Sequence, residues 1–109
     1  MGGLEGQIMK LVLITAITAF EKEVKKMLKE AKVTSYSYKN VKGFRDASEE
    51  GVESNWFGSE VSEIDSVVFY TNVLEENVSV LIDLANTFNT NQESLSHIHI
   101  VVLAVEQYN

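Results

Sequence analysis

The sequence predicts an α+β domain of ferredoxin-like order βαββαβ, in which a four-stranded antiparallel sheet carries two helices on one face. Two observations support this class. Four segments have the length and composition of strands, and two others repeat apolar residues at helical spacing. With 109 residues, the chain is predicted to be a single domain. That domain is assigned to residues 9–109, while residues 1–8 are predicted to be an N-terminal arm or a remnant of cloning.

The first strand–helix–strand unit occupies the basic part of the chain. Residues 10–17 form a continuous apolar run of strand length, and residues 34–42 alternate as a second strand. Between them, Thr18 and Glu21 fit the capping box that begins a helix. The apolar face of this helix is predicted to be Phe20, Val24, Met27, Leu28 and Ala31.

The second unit repeats this order. Residues 64–73 predict the third strand and residues 97–107 the fourth. Asn72 and Glu75 fit a capping box before the second helix. The buried side of that helix is predicted to be Val78, Leu81, Ile82, Ala85 and Phe88.

Strands 1, 3 and 4 are apolar on both faces, which is unusual for a sheet with helices on one side. The other face of such a sheet is normally wet, so its strands should alternate apolar and polar residues. Here about eight apolar side chains, Val101 and Leu103 among them, would form a patch larger than monomers usually expose. The free face is therefore predicted to be an oligomer interface.

Charge and composition exclude several classes of function. All nine basic residues lie in residues 10–45, whereas residues 46–109 contain twelve acidic residues and no Lys or Arg, so nucleic-acid binding is not expected. The apolar run at residues 10–17 is too short to span a membrane. The absence of cysteine fits the cytoplasm. A cysteine nucleophile, a phosphate-binding glycine motif and HExxH are all absent, so no enzyme activity is predicted.

The only tryptophan of the chain, Trp56, precedes Phe57 in the acidic, glycine-containing stretch at residues 43–60. One interpretation is that the two rings fold back onto the sheet or onto a neighbouring subunit. The interpretation we favour is a partner-binding loop in which Ser54, Trp56 and Phe57 contact another protein, because tryptophan is common at binding hot spots. The acidic residues nearby are interpreted as a solvated loop face: Glu49, Glu50 and Glu53.

His97 and His99 alternate on the predicted fourth strand, so both imidazoles project from one face. That spacing suits two ligands of one transition-metal ion, with Glu93 as a candidate third ligand. The alternative is a pair of partly exposed structural histidines at the start of a strand. The sequence leaves both open.

The order of elements, the pattern "VKGF" at 41–44 and the long excursion before strand 3 resemble the PII signalling proteins and their PII-like relatives. The resemblance covers nearly the whole chain from Met9. It implies a homotrimer of ferredoxin-like subunits in which residues 43–60 correspond to the T-loop that grips transporters and enzymes. The short, arginine-poor form looks closer to the PII-like proteins linked to heavy-metal efflux pumps, and this resemblance implies a transporter or efflux-pump partner.

The resemblance also implies a ligand site beside the loop, for which the candidates are Lys39, Lys42, Gly43, Phe44 and Arg45. PII proteins hold adenine nucleotides with glycine and lysine before strand 4 and arginines after it. This chain has neither at those places, so an adenine nucleotide is expected to bind weakly, since phosphates need cations and donors. A divalent transition metal is the other candidate ligand. The alternative function is that of CutA, a metal-associated trimer of the same fold, without a signalling loop.

Overall fold

The structure is a computed structural model that describes residues 8–44 and 63–109. Its strands and helices are β1 (Met9–Ile17), α1 (Glu21–Glu30), β2 (Ser37–Phe44), β3 (Glu63–Leu74), α2 (Glu75–Asn91) and β4 (His99–Ala104). The sheet order is β2-β3-β1-β4, and every neighbouring pair is antiparallel. This confirms the predicted ferredoxin-like α+β class.

The core lies between the sheet and the two helices. In the register, Ile14 of β1 stands opposite Phe69 of β3 and Ile100 of β4, so these side chains share one face. Ile14 and Phe69 are fully buried. The remaining core residues are Val12, Ala16, Val24, Met27, Leu28, Ala31, Val33, Val67, Val73, Leu81, Ala85 and Ile98.

The predicted apolar faces of both helices are confirmed in most positions. On α1, Val24 and Leu28 are fully buried, and on α2, Leu81 and Ala85 are buried. The two helices also meet through an edge-on aromatic contact, Phe20 to Phe88 at 4.9 Å between ring centroids. The other side chains that pack against the core are Tyr36, Val78, Leu84 and Ile100.

Both predicted capping boxes are wrong. Thr18 begins a short 3-10 turn, Thr18–Phe20, so α1 follows Phe20, a side chain that cannot accept a backbone hydrogen bond. Asn72 belongs to β3, opposite Leu11, and α2 follows Leu74. The β1–β3 pairing runs from Met9↔Leu74 to Ile17↔Ser66. Asn72 therefore pairs within the sheet instead of capping α2.

The predicted strand ends also shift. β2 begins at Ser37 and continues to Phe44, because it pairs with β3 as far as Glu63. β4 is shorter than predicted, since it pairs with β1 over only His99–Ala104.

The edge strand β2 is tied to α1 by aromatic and charged contacts. Tyr38 stacks on Phe69 with ring centroids 5.1 Å apart. The Lys25 ammonium donates a hydrogen bond to the Tyr38 hydroxyl at 3.0 Å and forms an ion pair with Glu21 at 2.8 Å. The hydrogen bonds to Glu21 and Tyr38 raise the pKa of Lys25, which keeps this link cationic at any physiological pH.

Candidate functional site

The free face of the sheet is opposite the helices and carries the alternate residues of every strand. Leu13 pairs with Val101, and Leu11 with Leu103, on this face. Val101 is 54% exposed and Tyr70 is 49% exposed. The register thus confirms the prediction that Val101 and Leu103 lie on the free face of the sheet. The apolar side chains of this free face are Leu11, Leu13, Ile17, Val41, Ile64, Val68, Tyr70, Val101 and Leu103.

An open cavity of about 400 Å³ lies at one end of the free face, where β2 ends and β3 begins. We call it the loop-end cavity. It is lined by strand ends and by the turn before β4: Thr15, Ala16, Ile17, Val41, Gly43, Phe44, Ile64, Ser66, Val67, Leu95, Ser96, His97 and His99. The described chain stops at Phe44 and resumes at Glu63, and both Phe44 and Ile64 line this cavity.

The cavity unites candidates that the sequence placed in two separate sites. Gly43 and Phe44, predicted as ligand-binding residues, line it together with the predicted metal pair His97 and His99. Phe44 is 70% exposed there. Their proximity follows from the sheet order, which sequence patterning alone does not give.

The two predicted lysines of the ligand site do not converge. Lys39 pairs with Val68 and Lys42 with Asp65, and these positions lie on opposite faces of the sheet. Lys42 donates a hydrogen bond to Asp65 at 2.6 Å, and this contact raises the pKa of Lys42. Among the described residues that line the cavity there is no Lys or Arg. Arg45 lies outside the described residues, as do the predicted partner contacts Ser54, Trp56 and Phe57 and the acidic residues Glu49, Glu50 and Glu53.

His97 and His99 face the cavity from the chain leading into β4. Their ring centroids are 6.3 Å apart with planes at 72°, and both side chains are exposed, whereas Ile98 between them is buried. The Asn89 amide clamps that backbone. It donates to the Ile98 carbonyl at 2.9 Å and accepts from the Ile98 N–H at 2.8 Å.

The turn before the histidine pair is held by a second amide, Gln92. Its side chain donates to the Ser96 carbonyl at 2.6 Å and accepts from the Ser94 N–H at 2.8 Å. Asn89 and Gln92 were missed by sequence reasoning. Their only signal was that both are amides at the end of a helix, where they can satisfy backbone groups of the following turn.

Glu93 does not complete a metal site with the two histidines. Within residues 8–44 and 63–109, no three His, Asp or Glu side chains are grouped so that they could hold a metal ion. A complete metal shell within one chain is therefore not present in this part of the protein.

Gly43 allows β2 and β3 to approach closely at the cavity. A Cβ atom at this position would lie 2.9 Å from the Ser66 hydroxyl oxygen, which is too close. That hydroxyl donates to the Ile64 carbonyl at 3.1 Å. A side chain at position 43 would therefore turn the Ser66 hydroxyl out of its hydrogen bond.

We expect Gly43→Ala to lower the free energy of unfolding by about 1 kcal/mol more in the wild-type background than in a Ser66→Ala background, since one hydrogen bond is at stake. Urea denaturation of the four proteins of this double-mutant cycle measures the difference. Equal effects of Gly43→Ala in the two backgrounds would contradict the close approach of these strands.

Among the described residues, no helix is long and apolar enough to cross a membrane. No family of known sequences matches the chain, and no curated protein matches it. Solved structures do match over nearly its whole length.

The matching structures include PII and PII-like proteins. CPII, a nitrogen regulatory PII-like protein from Thiomonas intermedia K12 bound to ADP, AMP and bicarbonate, is 16% identical; the match covers 91% of this chain and 96% of CPII, with a TM-score of 0.57. Arabidopsis thaliana PII bound to citrate is 15% identical, over 94% of this chain and 81% of that protein, with a TM-score of 0.63.

A DUF3240 family protein from Shewanella baltica OS155 is 13% identical, over 94% of both chains, with a TM-score of 0.64. The three likenesses show that this chain has a divergent form of the PII-like fold. This confirms the fold that the sequence resemblance implied.

Proposed function

We propose that this chain is a PII-like regulatory protein: a cytoplasmic homotrimer that binds a small ligand in the loop-end cavity and signals through residues 43–60 to a transporter or efflux pump. The observation that carries the proposal is the position of the cavity. Gly43 and Phe44, which precede residues 45–62, and Ile64, which follows them, all line it. The protein acts by binding, without a catalytic step.

A ligand in this cavity would contact the strand ends that carry the loop. A ligand shifts an equilibrium between two conformations only if it binds one of them better. Because Phe44 and Ile64 contribute to the cavity wall, a rearrangement of the loop ends would change the ligand's contacts directly. Ligand occupancy and loop conformation would then be coupled, as a signalling protein requires.

The free face supports assembly. Its exposed apolar side chains would be buried against other copies, at ~25 cal/mol per Å² of apolar area, which makes the association worth several kcal/mol. The PII-like fold favours a threefold arrangement, in which each free face meets a neighbouring copy around a central axis. Burial of this face explains why both sides of β1, β3 and β4 are apolar.

An adenine nucleotide is expected to be a weak ligand. CPII was solved with ADP and AMP, so the fold can accommodate nucleotides. In this chain, however, the described lining of the cavity offers hydroxyl groups, imidazoles and backbone rather than lysine or arginine. Lys42, one of the predicted cations, already donates a hydrogen bond to Asp65. Phosphate groups would gain little charge-assisted hydrogen bonding here.

A CutA-like metal-binding protein without a signalling loop is the second candidate function. It is favoured by one observation, the two exposed histidines whose rings share the cavity. The two functions differ in what residues 43–60 do, since only the regulatory protein needs them to reach a partner.

The experiment replaces residues 46–60 by a short Gly-Ser linker and compares the variant with the full chain. We expect unchanged circular dichroism and sedimentation, but loss of the transporter that co-purifies with the tagged full chain from solubilised membranes of the source organism. Trp56→Ala combined with Phe57→Ala should cause the same loss, while Ser59→Ala should not. Equal capture of the transporter by the shortened variant, or no transporter with the full chain, would reject the signalling role.

A further inference from the structure

We propose that His97 and His99 jointly bind one divalent transition-metal ion, Zn²⁺ or Cu²⁺, per chain in the loop-end cavity, and that water or a residue of a neighbouring copy completes its shell. The inference rests on the proposed function, because it names the ligand class of the same cavity. It would make the protein a sensor of metal ions rather than of nucleotides.

The ring geometry is close to that of a bound pair. A metal–nitrogen bond of about 2.0–2.1 Å in a tetrahedral shell places two imidazole centroids roughly 5 Å apart. The observed separation is 6.3 Å, so the two rings need to approach by about 1 Å. Both side chains are exposed, so rotation about their side-chain bonds can supply this movement without repacking the core.

The backbone that carries the two rings is already fixed. Ile98 is 2% exposed and anchors the segment in the core, and Asn89 bonds to both backbone groups of Ile98. Gln92 holds the preceding turn through the Ser96 carbonyl. A rigid support lowers the ordering cost of binding, and metal ligands commonly depend on such neighbours for their orientation.

Neither histidine is a core residue, because both side chains are exposed and the buried residue of the segment is Ile98. The electrostatic surroundings favour a cation. Within the described lining of the cavity no lysine or arginine competes with a metal ion. The net charge of -7 also attracts cations to the protein as a whole.

Two ligands do not fill a metal shell, since zinc sites are almost always four-coordinate. Within one described chain no third His, Asp or Glu joins the pair. The cavity opens on the free face, which in the proposed trimer lies against a neighbouring copy. In a cyclic assembly of three copies the contacts are head to tail, so a ligand contributed by a neighbour would come from a different surface than the histidine pair, which gives one ion per chain.

The test is calorimetry with ZnCl₂ and CuCl₂ on the full chain, free of affinity-tag histidines, at about pH 7.5. We expect one ion per chain, at least tenfold weaker binding for His97→Ala or His99→Ala, and loss of the site in the double variant. Glu93→Gln is the matched control, and its affinity should be unchanged.

The chain contains only two histidines, so their ring resonances in NMR spectra report on the site directly. We expect both sets of resonances to shift on addition of Zn²⁺ in a single saturable step. Unchanged resonances, or a double His→Ala variant that binds metal like the wild type, would overturn the metal site. Neither result would affect the loop-shortening experiment, whose readout is capture of a transporter, so the two proposals can fail separately.

Discussion

Replacing Phe69 by alanine is expected to lower the free energy of unfolding by about 3–5 kcal/mol, the largest effect that we expect of a single truncation among the described residues. Phe69 is fully buried at the centre of β3 and packs against Tyr38 at 5.1 Å and Tyr36 at 5.7 Å between ring centroids. Alanine would remove these aromatic contacts and leave a cavity between the sheet and the helices. Urea denaturation at one fixed protein concentration measures the loss.

Phe44→Ala is the matched control, because it removes the same side chain from the same sheet. Phe44 is 70% exposed, so its truncation should change the free energy of unfolding by less than about 0.5 kcal/mol. If Phe69→Ala cost no more than Phe44→Ala, the core described between β2, β3 and α1 would be wrong.

Much of the fold could be predicted because hydrophobic periodicity reports burial directly. The alternation of Val12 and Ile14 with Leu11 and Leu13 indicated a sheet covered on both sides, and the structure places the first pair in the core. The capping boxes failed for a long-range reason. Pairing of β1 with β3 extends to Leu74, and no local pattern around Asn72 contains that information.

The candidate site was only partly predictable. The histidine pair was identified from its spacing, and Gly43 with Phe44 from a resemblance, but the cavity that joins them depends on the sheet order. The Asn89 clamp on Ile98 joins a helix to a strand nine residues further along the chain. Such contacts depend on tertiary packing, which periodicity does not encode.

Val101→Glu is expected to convert the assembled protein into monomers or aggregate. Val101 lies in the middle of β4 on the free face and is 54% exposed in the single chain, so in the proposed trimer it would be buried between copies. A carboxylate there would have to be desolvated without a partner, which costs several kcal/mol. Sedimentation of the variant beside the wild type measures the change.

The matched control is Val80→Glu, which makes the same substitution on α2 at 40% exposure, on the helix side of the molecule. This variant should assemble as the wild type does. If Val80→Glu dissociated the protein while Val101→Glu did not, the helix face would be the interface and the free face would remain in water.

If other copies of this chain cover the free face, sedimentation equilibrium of the wild-type protein at micromolar concentrations shows it most directly. We expect a single species of three times the 12.2 kDa of one chain. A stable species of 12.2 kDa at those concentrations would contradict it, because the apolar free face would then be left exposed to water.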